Sequence, residues 1–266
     1  MPMSQHLLVE VEKGVAYLTL NRPQQGNAID LALAQALLHA AIQCDQDRSI
    51  RCVVLTGAGR FFCAGGDIAA FTEAQAQVPA FLSELAGILH LAISRFMRMN
   101  KPLLVVVNGT AAGAGMSLAL IGDVVIAVEN AQFAPSYGAI GLSPDAGLTW
   151  HLPKLVGLRK AQQILILNQK LSAAEADQIG LISEVVTTEQ LQKRQTALIE
   201  QLLNSATPAL SNVKQLLLNS HQNTLETHLE LEARSIAAIS LGESAKEGLV
   251  AFLEKRAAQF NQDSEI

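Results

Sequence analysis

The chain is poor in charge, in aromatic side chains and in cysteine, and each shortage excludes something. Charged residues occupy 16% of 266 positions, no run of Lys or Arg reaches four, and the formal net charge is −5. Nucleic acid and anionic membranes are held by clustered cations, so neither is an expected partner. Aromatic residues amount to 4%, with one Trp and two Tyr, which leaves little for an aromatic-lined site. The three cysteines, Cys44, Cys52 and Cys63, are odd in number, lack C-x-x-C spacing and sit in or beside apolar runs. They read as reduced core residues rather than a disulfide or zinc framework. The six histidines include no His-x-x-x-His pair, so no metal site is expected. No uninterrupted apolar run approaches transmembrane length: Leu103 to Val107 stops at Asn108, and the stretch beyond is broken by glycines and Asp123. The opening Met1 to His6 has no basic segment leading into an apolar core and so does not read as a signal peptide. These absences place the protein, as an expectation, in the cytoplasm. A P-loop, a dinucleotide fingerprint in a βαβ context and a nucleophile elbow are missing as well.

What is present is apolar and periodic. Half of the residues are hydrophobic, enough to bury a large core in one domain. Val9 to Glu12 and Val15 to Leu20 flank Lys13-Gly14 and read as a hairpin. Leu31 to Ile42 reads as a helix with Asp30 as N-cap and with Leu31, Ala34, Leu37, Leu38, Ala41 and Ile42 on its buried face. A strand at 50–56 precedes a second amphipathic helix, Phe81 to Met99, which ends at Asn100-Lys101-Pro102. Strand Leu103 to Val107, a short helix from Gly113 to Ile121 and strand Val124 to Val128 continue an alternation that argues for an α/β core. From about Ser143 the signals are mostly helical: 160–167, 173–179, 189–203, 208–219, 224–239 and 243–258, with one strand at 181–186.

Two glycine-rich segments stand out against this background, Gly59-Arg-Phe-Phe-Cys-Ala-Gly-Gly-Asp-Ile68 and Asn108-Gly-Thr-Ala-Ala-Gly-Ala-Gly115. Each follows an apolar strand and leads into a helix, so each can offer bare backbone N–H groups at a turn. Two such amides converging on one oxygen form an oxyanion hole, which stabilises charge developing on a carbonyl. In this order, and with Leu20-Asn-Arg-Pro23, Asn27-Ala28, Ala131-Gln-Phe133, Gly141-Leu-Ser-Pro-Asp-Ala-Gly147 and Phe252-Leu-Glu-Lys-Arg256, the segments make a chain that resembles the crotonase (enoyl-CoA hydratase/isomerase) superfamily along nearly its whole length. The pattern is most similar to the branch containing the ring-opening isomerase of phenylacetate breakdown.

The resemblance implies an α/β crotonase fold, a spiral of ββα units with a helical C-terminal trimerisation lobe. Residues 1–200 would form the core that binds acyl-CoA, and 201–266 the lobe, within the same structural domain. The partner implied is an acyl-CoA thioester and the assembly a homotrimer or dimer of trimers. No separate cofactor is expected, since coenzyme A belongs to the substrate. The hole amides map to Gly66 and Ala114. The adenine and pantetheine map along Gln24 to Ala28 and Ala64 to Ile68, with Asp67 and Ala112 beside them. Arg22 and Lys255 are candidates for the phosphates, each equally readable as a solvated surface charge, and Phe252, three residues before Lys255 and hence on the same helical face, is a candidate cover for the adenine.

Side chains decide which reaction is run. Hydratases of this family hold water between two glutamates, and the matching positions carry Ser117 and Tyr137, neither of which is a carboxylate base. The remaining carboxylate in a matching position is Asp145. It suits the shuttle of a double-bond isomerase, returning to one carbon the proton it removed from another, but Asp before a helix is also an ordinary cap. Tyr137 reads either as an orienting donor or as a pocket wall. His90 occupies the position where an aroyl-CoA dehalogenase of the family carries its base; among Ile88, Leu89, Leu91 and Ala92 it also reads as a helix packing residue. The expected function is acyl-CoA double-bond isomerisation through a hole-stabilised enolate. The alternatives are a hydratase without the glutamate pair, a dehalogenase-like hydrolase using Tyr137 and Phe62 or Phe71 around a ring, and a non-catalytic acyl-CoA binder.

Overall fold

The computed structural model describes residues 5–260, so the ends of the 1–200 and 201–266 division fall outside the described residues. The chain opens with β1 (Leu7–Glu12) and β2 (Val15–Leu20), an antiparallel hairpin turned by Lys13 and Gly14 at φ 49° and 80°. Two left-handed residues in succession match the twist of the flanking strands. Helix α1 (Leu31–Gln46) follows, its Asp30 cap accepting from the Leu33 N–H at 2.7 Å. Leu33, Ala40 and Cys44 join Ala34, Leu37 and Ala41 on the buried face, whereas Ile42 is exposed, which corrects the expected stripe. Beyond the helix, the buried Lys101 ammonium donates to the carbonyls of Cys44, Asp45 and Asp47, placing a cation at the negative end of α1.

Three consecutive units then repeat one plan, a long strand, a short strand and a helix. The first is β3 (Cys52–Gly57), β4 (Phe61–Cys63), α2 (Ile68–Glu73) and α3 (Val78–Arg98). The second is β5 (Leu103–Val107), β6 (Thr110–Ala112) and α4 (Ala114–Ala119). The third is β7 (Val124–Val128), β8 (Gln132–Ala134) and α5 (Leu148–Val156). The long strands form one sheet in the order β1-β2-β3-β5-β7-β10 and the short ones a second in the order β4-β6-β8-β9, with β9 (Leu171–Ser172) and β10 (Glu184–Val186) supplied later in the chain. Strands β2, β3, β5, β7 and β10 run parallel, as do β4, β6 and β8. This is the spiral of ββα units.

Alternate residues of the parallel strands serve different layers. Val53, Leu55, Val105 and Val107 enter the main core, while Cys52, Val54, Leu104 and Val106 face the opposite side, where Leu198 and Ile199 of α8 (Leu191–Leu203) cover them. Burial on both faces explains why β5 reads as five continuous apolar residues rather than an alternating strand. All three cysteines are buried and free. Between the strands, α6 (Leu158–Ile166) and α7 (Ala173–Gln178) fill out the core, and α9 (Thr207–Ser220), α10 (Leu225–Ile239) and α11 (Glu243–Leu253) end the chain.

The short sheet escaped the sequence reading, because three-residue strands carry too little pattern, whereas the helix after the first glycine-rich turn forms as α2 and the one expected from Ala146 starts two residues later, at Leu148. Helix α4 starts one residue later than expected because Gly113, at φ 52° and ψ −127°, is not helical, and it ends at Ala119, two residues before Ile121. The stretch Gln75–Arg98 is long and apolar enough to cross a membrane by length and composition, although Glu84, His90 and Arg95 interrupt it. Its apolar face, Leu85, Leu89, Ala92, Ile93 and Phe96, is buried in the core.

Candidate active site

The two glycine-rich turns meet at the junction of the short sheet and the helices that follow it. Asn27, fully buried, organises the first: its side-chain amide donates to the carbonyls of Ala58, Phe61 and Phe62 at 2.8–3.1 Å, and its Oδ1 accepts from Arg22 N–H at 2.9 Å. Asn108 ties the second turn to the first, accepting from Gly57 N–H and donating to the Gly59 carbonyl. Ile29 bridges Gly66 in parallel register, donating to the Gly65 carbonyl at 2.7 Å and accepting from Asp67 N–H at 3.0 Å. That pairing leaves the N–H of Gly66 itself pointing away from Ile29. A Cβ at Gly66 would lie 2.5 Å from Cζ of Phe71, and one at Gly65 2.9 Å from the Ala112 carbonyl oxygen, so side chains are excluded where the turns touch. Ala114 is the first residue of α4 and its N–H has no acceptor within the helix.

Gly66 and Ala114 line one cavity of about 300 Å³ together with Asp145 and Tyr137. Phe71 and, from α3, Leu82, Leu85, Ala86 and Leu89 form its apolar wall, and Ile140 and Leu142 close it from the loop before α5. Asp145 is the one carboxylate among these lining residues, and no Lys, Arg or His accompanies it. Its Oδ1 accepts a 2.6 Å hydrogen bond from the Tyr137 hydroxyl. Burial first, and the Asp145 charge second, push the Tyr137 phenol well above its ordinary pKa, which keeps it a donor. Ser117 is fully buried behind this pair; its hydroxyl lies 3.4 Å from that of Tyr137 and donates to the Asp145 carbonyl at 3.2 Å.

The capping alternative for Asp145 does not hold. Helix α5 starts at Leu148 after Ala146 and Gly147, both left-handed at φ 52° and 79°, and the carboxylate is turned to Tyr137 instead. His90 stands outside the cavity, on an exposed stretch of α3, where its Nε2 accepts from Ala146 N–H at 3.0 Å. Phe62 is wholly buried in the core and cannot cradle a ring; Phe71 does reach the cavity.

The residues mapped to the coenzyme divide. Ala64 and Ile68 are exposed at the cavity mouth, and Ala64 N–H bonds the Gly26 carbonyl, so the 24–28 and 64–68 segments lie side by side with Gln24 exposed. Ala28 is buried, its carbonyl taken by Arg22 Nη1 at 2.5 Å, and Ala112 lies half-buried in β6 outside the cavity lining. Arg22 is not free to meet a phosphate: Nη2 holds Asp67 at 2.9 Å and Asp30 at 3.3 Å with only 13% of its side chain exposed. Asp67 in turn caps α2 by accepting from Ala69 and Ala70 N–H. Phe252, 82% exposed, and Lys255 do not share a helical face, because α11 ends at Leu253 and Lys255 adopts φ 54° in a Schellman turn. Among the described residues no group of His, Cys, Asp and Glu could hold a metal ion.

The α3 wall residues were not singled out as functional from the sequence, and Asn27 entered only within the 24–28 coenzyme segment, not as the side chain that organises the first turn. Leu82, Leu85 and Leu89 follow core spacing, and a cavity wall has the same periodicity as a core.

Comparison with known proteins bears on this geometry. The family model described as enoyl-CoA hydratase/isomerase matches residues 10–263. The chain is 38% identical to 1,2-epoxyphenylacetyl-CoA isomerase of Escherichia coli strain K12 over 259 residues, covering 97% of this chain and 99% of that one. It is 31% identical to 4-chlorobenzoyl coenzyme A dehalogenase-2 of Arthrobacter over 234 residues, 88% and 85% of the two chains. The crystal structure of an enoyl-CoA hydratase from Polaromonas sp. JS666 superposes with a TM-score of 0.91 at 32% identity, covering 95% of this chain and 98% of that one. The chain is an enzyme of the enoyl-CoA hydratase/isomerase family and has the crotonase fold.

Proposed function

We propose that the protein moves a carbon–carbon double bond along an acyl-CoA thioester, with Asp145 as the single acid/base and the N–H groups of Gly66 and Ala114 as the oxyanion hole. The observation that carries this reading is the lone carboxylate, Asp145, held by Tyr137 at 2.6 Å in the cavity that both amides line. With a 3-enoyl thioester, Asp145 takes a proton from the α carbon and the electron pair spreads to the thioester oxygen as a dienolate. The two amides stabilise that oxygen as its charge grows. Returning the proton to the γ carbon leaves the double bond between the α and β carbons and restores the carboxylate. One aspartate suffices because the proton is only relocated. Oδ1 is occupied by Tyr137, so Oδ2 is the oxygen that exchanges the proton.

The likeness to a named isomerase supports this reading. Water addition by the family's glutamate pair lacks both carboxylates, since Ser117 and Tyr137 stand there. Hydrolytic dehalogenation needs a base on water beside Asp145, and His90, outside the lining with Nε2 already accepting, does not supply one. Coenzyme A enters with the substrate and the proton shuttle requires no further cofactor. The exposed apolar residues of the C-terminal helices, Leu217, Leu225, Ile236, Leu249, Phe252 and Leu253, support a trimer, or a dimer of trimers, built through the 201–266 lobe. Three free buried cysteines and an acidic surface without cation runs suit a cytoplasmic enzyme with no nucleic-acid or membrane partner. The test is product identity from 3-enoyl-, 2-enoyl- and 4-chlorobenzoyl-CoA. Conjugated 2-enoyl product from the first supports isomerisation; 3-hydroxyacyl product or released chloride without bond migration refutes it.

A further inference from the structure

The peptide unit that follows the Asp145 side chain is gripped at both ends by side chains from two different helices. Its carbonyl oxygen accepts from the Ser117 hydroxyl of α4 at 3.2 Å and from Leu148 N–H at 3.1 Å. Its N–H, that of Ala146, donates to His90 Nε2 of α3 at 3.0 Å. Ala146 is fully buried and sits at φ 52°, a left-handed conformation that L-residues other than glycine seldom adopt. Gly147 continues it at φ 79°. A non-glycine residue persists there only when its surroundings hold it, and here the holding groups are named.

We infer that His90 is a positioning residue which, with Ser117, clamps the Asp145–Ala146 peptide and thereby aims the Asp145 carboxylate. Nε2 faces a donor, so it keeps its lone pair and the ring proton sits on Nδ1. Nε2 is taken by the Ala146 N–H and the ring lies outside the cavity lining, so it acts on the backbone of Asp145 and not on substrate. His90 and Ala146 line a separate cavity with Ser94, Arg98, Trp150, His151 and Gln222, and no carboxylate is among its lining residues. Ser117 completes the clamp from α4 by giving its one hydroxyl proton to the Asp145 carbonyl at 3.2 Å, the Gly113 carbonyl and the Tyr137 hydroxyl lying farther off at 3.4 Å. The clamp gives Ser117 a function where a hydratase would carry a glutamate.

The kinetic arm of the test rests on the proposed isomerase reading; the structural arm does not. His90→Leu removes the acceptor, and His90→Gln keeps one at similar reach. In ligand-free protein, amide exchange of the 143–150 segment followed by mass spectrometry is expected to speed up about tenfold or more in His90→Leu and to stay near wild type in His90→Gln. In turnover, His90→Leu lowers kcat about 10- to 100-fold while the Kd for a non-reactive acyl-CoA thioether stays within about twofold, and His90→Gln recovers most of the loss. Unchanged exchange in His90→Leu overturns the clamp, whatever the enzyme turns over. Intact exchange protection in His90→Gln with kcat as low as in His90→Leu overturns it in favour of proton transfer by the imidazole. If wild type migrates no double bond, the isomerase reading fails, and the exchange comparison still decides the clamp. Should His90→Leu not fold, Ser117→Ala, which removes the carbonyl-side grip, is read the same way against Ser117→Thr.

Discussion

The Tyr137 hydroxyl donates to Oδ1 of Asp145 at 2.6 Å, inside a cavity where Asp145 is the one lining carboxylate. A hydrogen bond to an ionised acceptor contributes about 1.5–3 kcal/mol, and here it also fixes which oxygen remains available. Tyr137→Phe is therefore expected to lower kcat about 10- to 100-fold with little change in the Kd of a thioether analogue. Burial and the Asp145 charge hold the phenol in its protonated form, so wild-type activity has no alkaline limb from Tyr137 below pH 10, its ordinary pKa. Equal kcat in wild type and variant would remove Tyr137 from the account.

Arg22 is expected to matter for stability more than for coenzyme affinity. Its guanidinium joins Asp67, Asp30 and the Ala28 carbonyl, so Arg22→Ala leaves Asp67, at 15% exposure, without its cation and Asp30, at 19%, with the His6 ring alone. Breaking such a pair costs about 2–4 kcal/mol once partial solvent access is allowed for. Denaturant unfolding should register that loss, with CoA affinity reduced less than about tenfold, the equivalent of 1.4 kcal/mol. A hundredfold loss of affinity at unchanged stability would restore Arg22 as a phosphate ligand.

The fold was legible where strands and helices are long and periodic: β1, β2, α1, β5 and β7 lie where hydrophobic spacing put them. The short sheet was not, because β4, β6 and β8 are three residues each and owe their geometry to neighbours such as Asn27 and Asn108, whose side-chain bonds span about thirty to fifty positions. At the site, the glycine turns and Asp145 could be picked out from their order and neighbours. The Asp145 environment could not, since Tyr137, Ser117 and His90 converge on it from three elements. The two carboxylates that hold Arg22 were not legible, because a cation near a binding turn looks the same in sequence whether it meets a ligand or two carboxylates. The shared face expected of Phe252 and Lys255 is absent because helix spacing was extended past the end of α11.

His151 sets an acid limit on stability. Burial, with a smaller contribution from Lys154, lowers its pKa to about 4 from the ordinary 6.5. Between those values the unfolded chain binds more protons than the folded one, so stability rises with pH through the window and is lost as pH falls from about 6.5 towards about 4. The shift corresponds to a loss on the order of 3 kcal/mol. His151→Gln should flatten the thermal midpoint across pH 4–6.5 relative to wild type. Parallel curves for the two proteins would show that other groups set the acid limit.

The central claim is that Asp145 carries a single proton between two carbons of a thioester-stabilised dienolate. The most direct measurement is proton NMR of 3-enoyl- and 2-enoyl-CoA incubated in D2O with wild type and with Asp145→Asn. The account predicts deuterium at the α and γ carbons with bond migration in wild type, and neither in the variant, which still binds a thioether analogue with wild-type Kd. A 3-hydroxyacyl product without migration, or undiminished deuterium incorporation by Asp145→Asn, would contradict it.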